Sequence, residues 1–160
     1  MIDRDDYWYF AERALLGMRG IVADLGDELA VHTPPLDGAN SPYALLHHCL
    51  AVVDTWVGGF VAGRPVDRDR AGEFRASGPV DELLGRVDAT LVRLRADLAD
   101  ADPAAPLAQV PPPEYEGPDR ALTVSGALQH VYEELAQHHG QMEQIRDLVR
   151  AVDSGRVVVR

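Results

Sequence analysis

The C-terminal part of the chain contains a long apolar row that only a packed helix can bury. Val124, Leu128, Val131, Leu135, His138, Met142, Ile145 and Val149 follow one another at alternating steps of four and three residues. This spacing places them on one side of an α-helix and is typical of the seam along which helices pack in a bundle. We therefore predict a helix from about Thr123 to Ser154 with one histidine in its buried seam.

Three earlier segments also have helical patterns. Apolar residues recur at steps of three and four over about residues 3–25 and again over 80–100. Between them, Ser41 and Pro42 provide an N-cap and a first-turn proline for an apolar helix over about 42–62. No segment has a clear strand pattern, so the sequence predicts an all-α four-helix bundle. Its 160 residues suffice for one core, and we expect a single domain over residues 1–160.

The connections between these helices are long and rich in proline and glycine. They read HTPPLDGANSP, GRPVDRDRAGEFRASGP and ADPAAPLAQVPPPEYEGPD. Helices that simply wind up and down need only a few connecting residues, whereas long connections permit crossovers. The second and third connections therefore favour a bundle with crossovers.

Charge and cysteine content restrict the partners and the compartment. The formal net charge of −11 opposes binding to nucleic acid, and no basic face offsets it. The single cysteine excludes an intramolecular disulfide, and neither a leader nor a sufficiently long apolar run predicts export or a membrane span. We expect a cytoplasmic protein without nucleic-acid or membrane partners.

Polar residues on the apolar sides of two helices are candidate metal ligands. Glu134 and His138 are four residues apart, so both side chains leave the same helix face and can reach one ion. The apolar second helix contributes His47 and His48. A carboxylate and two imidazoles suit a divalent ion such as Zn²⁺ and leave a coordination position open. The alternative is that these side chains are hydrogen-bonded packing residues without a metal.

Four other residues are weaker candidates. His130, four residues before Glu134, can act as a further ligand or lie beside the site, and His47 is the alternative helix-two ligand or a cleft residue. Gln141 is placed to hydrogen-bond a ligand. Arg75, in the second connection, is a candidate contact for an anionic substrate.

Two motifs resemble one known family over nearly the whole chain. LLHHCLAVVDTW on the second helix and HVYEELAQHHGQMEQIRDL on the fourth are similar to motifs of the DinB-like metal-binding bundles. The similarity is greatest to the branch of mycothiol-dependent isomerases and thiol transferases. In that branch, the ligands match His48, Glu134 and His138.

The resemblance implies an up-down-down-up bundle whose three ligands hold a divalent metal, most commonly zinc or nickel. It also implies a small-molecule thiol such as mycothiol as co-substrate, with transfer of its sulfur to an electrophile or thiol-assisted isomerisation. A metal-bound water would instead favour hydrolysis, and a metal-binding bundle without turnover is a further alternative. The long amphipathic helices are compatible with either a monomer or a homodimer.

Overall fold

The computed structural model describes residues 2–113, 115, 118 and 120–156, and it confirms the four predicted helices. They are α1 (Arg4–Leu29), α2 (Pro42–Val53), α3 (Val80–Ala99) and α4 (Val124–Asp153). Apart from these helices, the described residues form two short helical segments and an isolated antiparallel bridge between Pro106 and Thr123. The all-α prediction is therefore correct.

The predicted helix starts coincide with side-chain caps. The Ser41 hydroxyl accepts a hydrogen bond from the Ala44 amide, and Pro42 lies in the first turn of α2. At the start of α4, the Thr123 hydroxyl accepts from the Gly126 amide. Each cap satisfies an amide that has no partner within its helix, which fixes where the helix begins.

The second helix differs from prediction in its C-terminal half. The sequence predicts one regular helix to about residue 62, but Asp54–Val61 adopt the wider π-helical form. Trp56 lies in this π-helical segment and is 2% exposed. Such segments are rare and are often found at functional sites.

Helices α1 and α2 each contact both α3 and α4, whereas α3 and α4 lie diagonally opposite each other. One apolar core runs through all four helices, and its largest fully buried side chains include Leu15, Met18, Leu46, Leu94 and Leu135. Because α3 and α4 are not neighbours, the chain between them must cross the end of the bundle. This agrees with the crossover expected from the length of the third connection, whereas the second connection joins α2 and α3, which are neighbours.

Among the described residues, one stretch, Pro42–Val61, is long and apolar enough to cross a membrane. However, 78% of its most apolar window is buried inside the bundle. Central helices of soluble proteins have the same composition, because their whole circumference is covered by other helices. The burial therefore explains the apolar character of this segment.

Candidate metal centre

Three of the predicted ligands converge between α2 and α4. His48, Glu134 and His138 each offer one ligand atom, and these atoms all lie within 4.8 Å of one another. His48 Nε2 is 3.2 Å from Glu134 Oε2, which is in turn 3.5 Å from His138 Nε2. Tetrahedral bonds of about 2.0 to 2.1 Å place neighbouring ligand atoms about 3.3 to 3.4 Å apart. These two separations therefore fit a small divalent ion.

The orientation of His48 is set by a buried carboxylate on the second connection. His48 is 4% exposed, and its Nδ1 lies 2.7 Å from Oε2 of Glu73, which begins the short 3₁₀ helix Glu73–Arg75. Because an ionised carboxylate only accepts hydrogen bonds, Nδ1 must be the donor. Nε2 faces Glu134. Burial by itself would lower the pKa of His48, but its hydrogen bonds to Glu134 and Glu73 raise it, so a metal that binds Nε2 must displace a proton. A carboxylate behind a ligating histidine is a recurrent arrangement in metal sites.

Glu73 is itself held by an arginine. Arg68 Nε and Nη2 donate to the two oxygens of Glu73 at 2.5 and 2.9 Å, and both side chains are almost fully buried. Burial by itself would raise the pKa of Glu73, but the hydrogen bonds from Arg68 and His48 outweigh it and lower the pKa to about 2. Glu73 is therefore ionised at neutral pH and keeps the proton of His48 on Nδ1.

The two ligands on α4 are partly exposed. Side-chain exposure is 22% for Glu134 and 21% for His138. Hydrogen bonds with His138 and His48 lower the pKa of Glu134, so this carboxylate is also ionised. The Nδ1 of His138 is 2.9 Å from Oε1 of Gln141 and donates to it, which again leaves Nε2 for the centre. The sequence left open whether Gln141 orients a ligand or forms a plain hydrogen bond between helices.

A cavity of about 170 Å³ opens beside these ligands. Its aromatic walls are Trp56, Phe74, Tyr115 and His130. Phe74 stacks on the His48 imidazole with ring centroids 4.6 Å apart, and Trp56 lies 4.3 Å from the His130 ring. Nε2 of His48 is thereby held next to a small cavity with aromatic walls, which a ligand from solution can enter.

The remaining sequence candidates lie at different distances from the centre. His130 borders the cavity but is outside the three-residue cluster. His47 is turned to the other side of α2, where its Nδ1 accepts a hydrogen bond from Arg86 at 2.9 Å. Burial and Arg86 lower the pKa of His47. Arg75 is exposed and does not border the cavity.

Sequence reasoning missed three residues around the site. Glu73, Arg68 and Arg70 lie in a connection that reads as a solvated loop because it is rich in charge, glycine and proline. A charged residue in such a loop is usually exposed, so nothing in the sequence marks Glu73 as buried. The only signal in the sequence is the alternation of charges in DRDRAGEFR, and this alternation does not indicate which side chains point toward the site.

A family comparison covers the part of the chain that contains this site. A model described as the DinB superfamily matches residues 12–142. The chain belongs to the DinB superfamily. The matched part of this DinB-superfamily protein contains all three candidate ligands as well as Glu73 and Gln141.

The fold is shared with a solved structure. The chain superposes on a crystal structure described as the conserved protein of locus from Enterococcus faecalis, with a TM-score of 0.69 and 14% sequence identity. The alignment covers 94% of this chain and 99% of that one. At this identity the likeness concerns the fold. A comparison with curated proteins gives no match.

Proposed function

We propose that this DinB-superfamily protein is a metal-dependent enzyme that uses a low-molecular-weight thiol of the mycothiol type. Its reaction is transfer of the thiol sulfur to a small electrophile or thiol-assisted isomerisation. His48, Glu134 and His138 hold the divalent metal. The resemblance to the mycothiol-dependent branch favours zinc or nickel, whereas two imidazoles and a carboxylate by themselves also accept iron and manganese. The observation that carries the proposal is the convergence of these three ligand atoms at the wall of an open cavity.

The surrounding residues prepare the ligands for this role. Glu73 and Gln141 each accept the Nδ1 proton of one histidine, so both imidazoles present Nε2 to the same point. Glu134 supplies a negative charge that offsets part of the charge of the ion. A bound divalent ion lowers the pKa of a coordinated thiol, so that the nucleophilic thiolate prevails at neutral pH.

The protein does not supply the reacting sulfur itself. The chain has one cysteine, Cys49, whose side chain is completely buried in the core of the bundle. Burial raises the pKa of the Cys49 thiol, which keeps it protonated and unreactive. The thiol must therefore come from a co-substrate, as the sequence resemblance to the mycothiol-dependent branch also suggests.

The setting we propose follows from the same features. A reducing cytoplasm suits a buried free cysteine and a small-molecule thiol. The protein acts on small molecules as a monomer or homodimer, and its net charge of −11 disfavours nucleic acid as a partner.

The metal ligands are tested by mass-spectrometric metal analysis of protein purified without a histidine tag. We expect near-stoichiometric metal in the wild type and its loss in His138→Ala and Glu134→Gln. The matched control is Glu133→Gln, because Glu133 is exposed on α4 and its side chain bonds only to Gln137 among the described residues. Unchanged metal content in both ligand variants, with folding verified by circular dichroism, would show that the assignment is wrong.

The chemistry is tested with metal-loaded protein, mycothiol and a chromogenic aromatic halide. Turnover should require both the metal and the thiol. Turnover of an ester without any thiol would instead indicate a hydrolase. Stoichiometric metal without turnover across a panel of electrophiles would favour a binding protein.

A further inference from the structure

Two arginines border the same cavity as the candidate metal ligands. Arg68 and Arg70 lie on the connection between the π-helical segment and α3, and their side chains line the cavity together with His48, Glu134 and His138. Both guanidinium groups also lie over the Tyr115 ring, at 5.4 and 5.5 Å from its centroid. The cavity therefore has cations on one wall and metal ligands on another.

The guanidinium of Arg68 is only partly used by the protein. Its Nε and Nη2 bind Glu73, but the buried Nη1 has no hydrogen-bond partner among the described residues. The side chain is 4% exposed. Buried donors are nearly always paired, and an unpaired donor on a charged group is particularly unfavourable. A partner that is not part of the described chain would remove this deficit.

Among the described residues, Arg70 combines an unpaired charge with a position at the cavity, unlike Arg64 and Arg93, which are paired, and Arg75, which lies away from the cavity. Arg64 and Arg93 form ion pairs with Asp97 and Asp54. Arg70 is exposed, borders the cavity and forms no ion pair with any described residue. Its charge is thus not neutralised within the described structure.

One cation at the cavity has no counter-ion among the described residues. Arg68 is paired with Glu73, whereas Arg70 borders the cavity without an ion pair. An anionic group on a bound ligand would pair with Arg70 and with the unpaired Nη1 of Arg68.

We propose that Arg68 and Arg70 form a subsite for the carboxylate of a ligand that binds at the metal centre, so that the protein acts on small carboxylic acids. This inference rests on the proposed function, since it names the substrate class of the same site. Arginine suits the planar carboxylate because its donors match the two oxygens. Water occupies about 30 Å³ per molecule in the liquid, so a cavity of about 170 Å³ has room for a carboxylate and a few carbon atoms.

The carboxylate can belong to the thiol or to the electrophile, and the test separates these sources. Calorimetry on zinc-loaded protein compares mercaptoacetate with mercaptoacetamide, which differ only in the charged group. A second pair, propionate and propionamide, is measured with 2-mercaptoethanol present. We expect the acid to bind about tenfold more tightly than the amide in at least one pair, as a charge-assisted hydrogen bond provides. Preference in the first pair assigns the carboxylate to the thiol, and preference in the second assigns it to the electrophile.

Arginine variants decide the outcome, because a carboxylate can also bind zinc directly. Arg70→Gln and Arg68→Lys should each bring the ratio of acid to amide affinity close to one, with folding verified by circular dichroism. The matched comparison is Arg75→Gln, on the same connection but away from the cavity, which should keep the full ratio. Equal binding of acid and amide by the wild type would overturn the proposal. So would a ratio that survives both cavity variants or that collapses in Arg75→Gln.

Failure of the subsite can be distinguished from failure of the proposed function. If neither thiol binds the zinc-loaded protein, the thiol chemistry is wrong. In that case the propionate pair is measured again without 2-mercaptoethanol, and its ratio in the wild type and the three variants decides the subsite.

Discussion

Glu73 connects the segment between the π-helical segment and α3 to the centre of the bundle. Its carboxylate receives hydrogen bonds from Arg68 on one side and His48 on the other, and it is 2% exposed. Breaking such a buried ion pair by removing one charge is strongly destabilising, because the other charge stays buried. The same carboxylate fixes the tautomer of a candidate ligand, so one residue serves both stability and metal binding.

Replacing Glu73 by Gln should separate these effects. The amide oxygen can still accept the Nδ1 proton of His48, but the negative charge that opposes Arg68 is lost. We expect metal affinity to fall about 10-fold to 100-fold and the free energy of unfolding to fall by about 3 kcal/mol. Affinity is measured by competition with a chromogenic chelator, and stability by urea unfolding. Glu133→Gln is the control. Equal metal affinity of the two variants would show that Glu73 does not contribute to the metal centre.

At the scale of the elements, α1 and α4 approach each other closely at a glycine. A methyl group added at Gly17 would overlap the imidazole of His139 on α4, whereas one added at Gly20, a single turn later, would meet nothing within 4 Å. Both glycines lie inside the same helix. They therefore make a matched pair in which only the packing differs.

We expect the same substitution to have opposite effects at the two positions. Gly20→Ala should stabilise the protein by about 0.5 to 1 kcal/mol, because alanine loses less backbone entropy in a helix. Gly17→Ala should destabilise it by about 1 to 3 kcal/mol, because the His139 ring must move. Urea unfolding measures both. In a variant that already carries His139→Ala, Gly17→Ala should no longer lower the free energy of unfolding. A decrease that persists in this background would contradict the packing of Gly17 against His139.

For the whole molecule, the question is whether the fold depends on the metal. The apolar core extends through all four helices and does not require the ligands to be bridged. Helical bundles with such a core fold by apolar burial, unlike small zinc domains that unfold when the metal is removed. Chelation should therefore leave the helical content unchanged.

Metal should nevertheless raise the melting temperature by mass action. At a free metal concentration of about 100 times Kd, binding to the folded state adds about 2.7 kcal/mol, or roughly 5 to 10 °C for a domain of this size. Differential scanning fluorimetry with zinc or nickel tests this, and His138→Ala should remove the shift. Loss of the helical circular dichroism signal on chelation would mean that the metal is structural instead.

The sequence by itself determined the four helices, because each carries a local signal. The seam from Val124 to Val149 has a helical period, and Ser41 and Thr123 cap the helices that follow them. These features depend on residues a few positions apart. The i,i+4 spacing of Glu134 and His138 likewise placed two ligands on one face before any tertiary contact was known.

Only the tertiary structure decided how the site is completed. It turned His48 toward α4 and His47 toward Arg86, a choice that the family resemblance implied but that the spacing of two adjacent histidines does not reveal. It also buried Glu73 and brought Arg68 and Arg70 to the cavity, while leaving Arg75 outside. The physical reason is that helix periodicity is written in neighbouring residues, whereas the path of an irregular connection depends on side chains that are distant in the sequence.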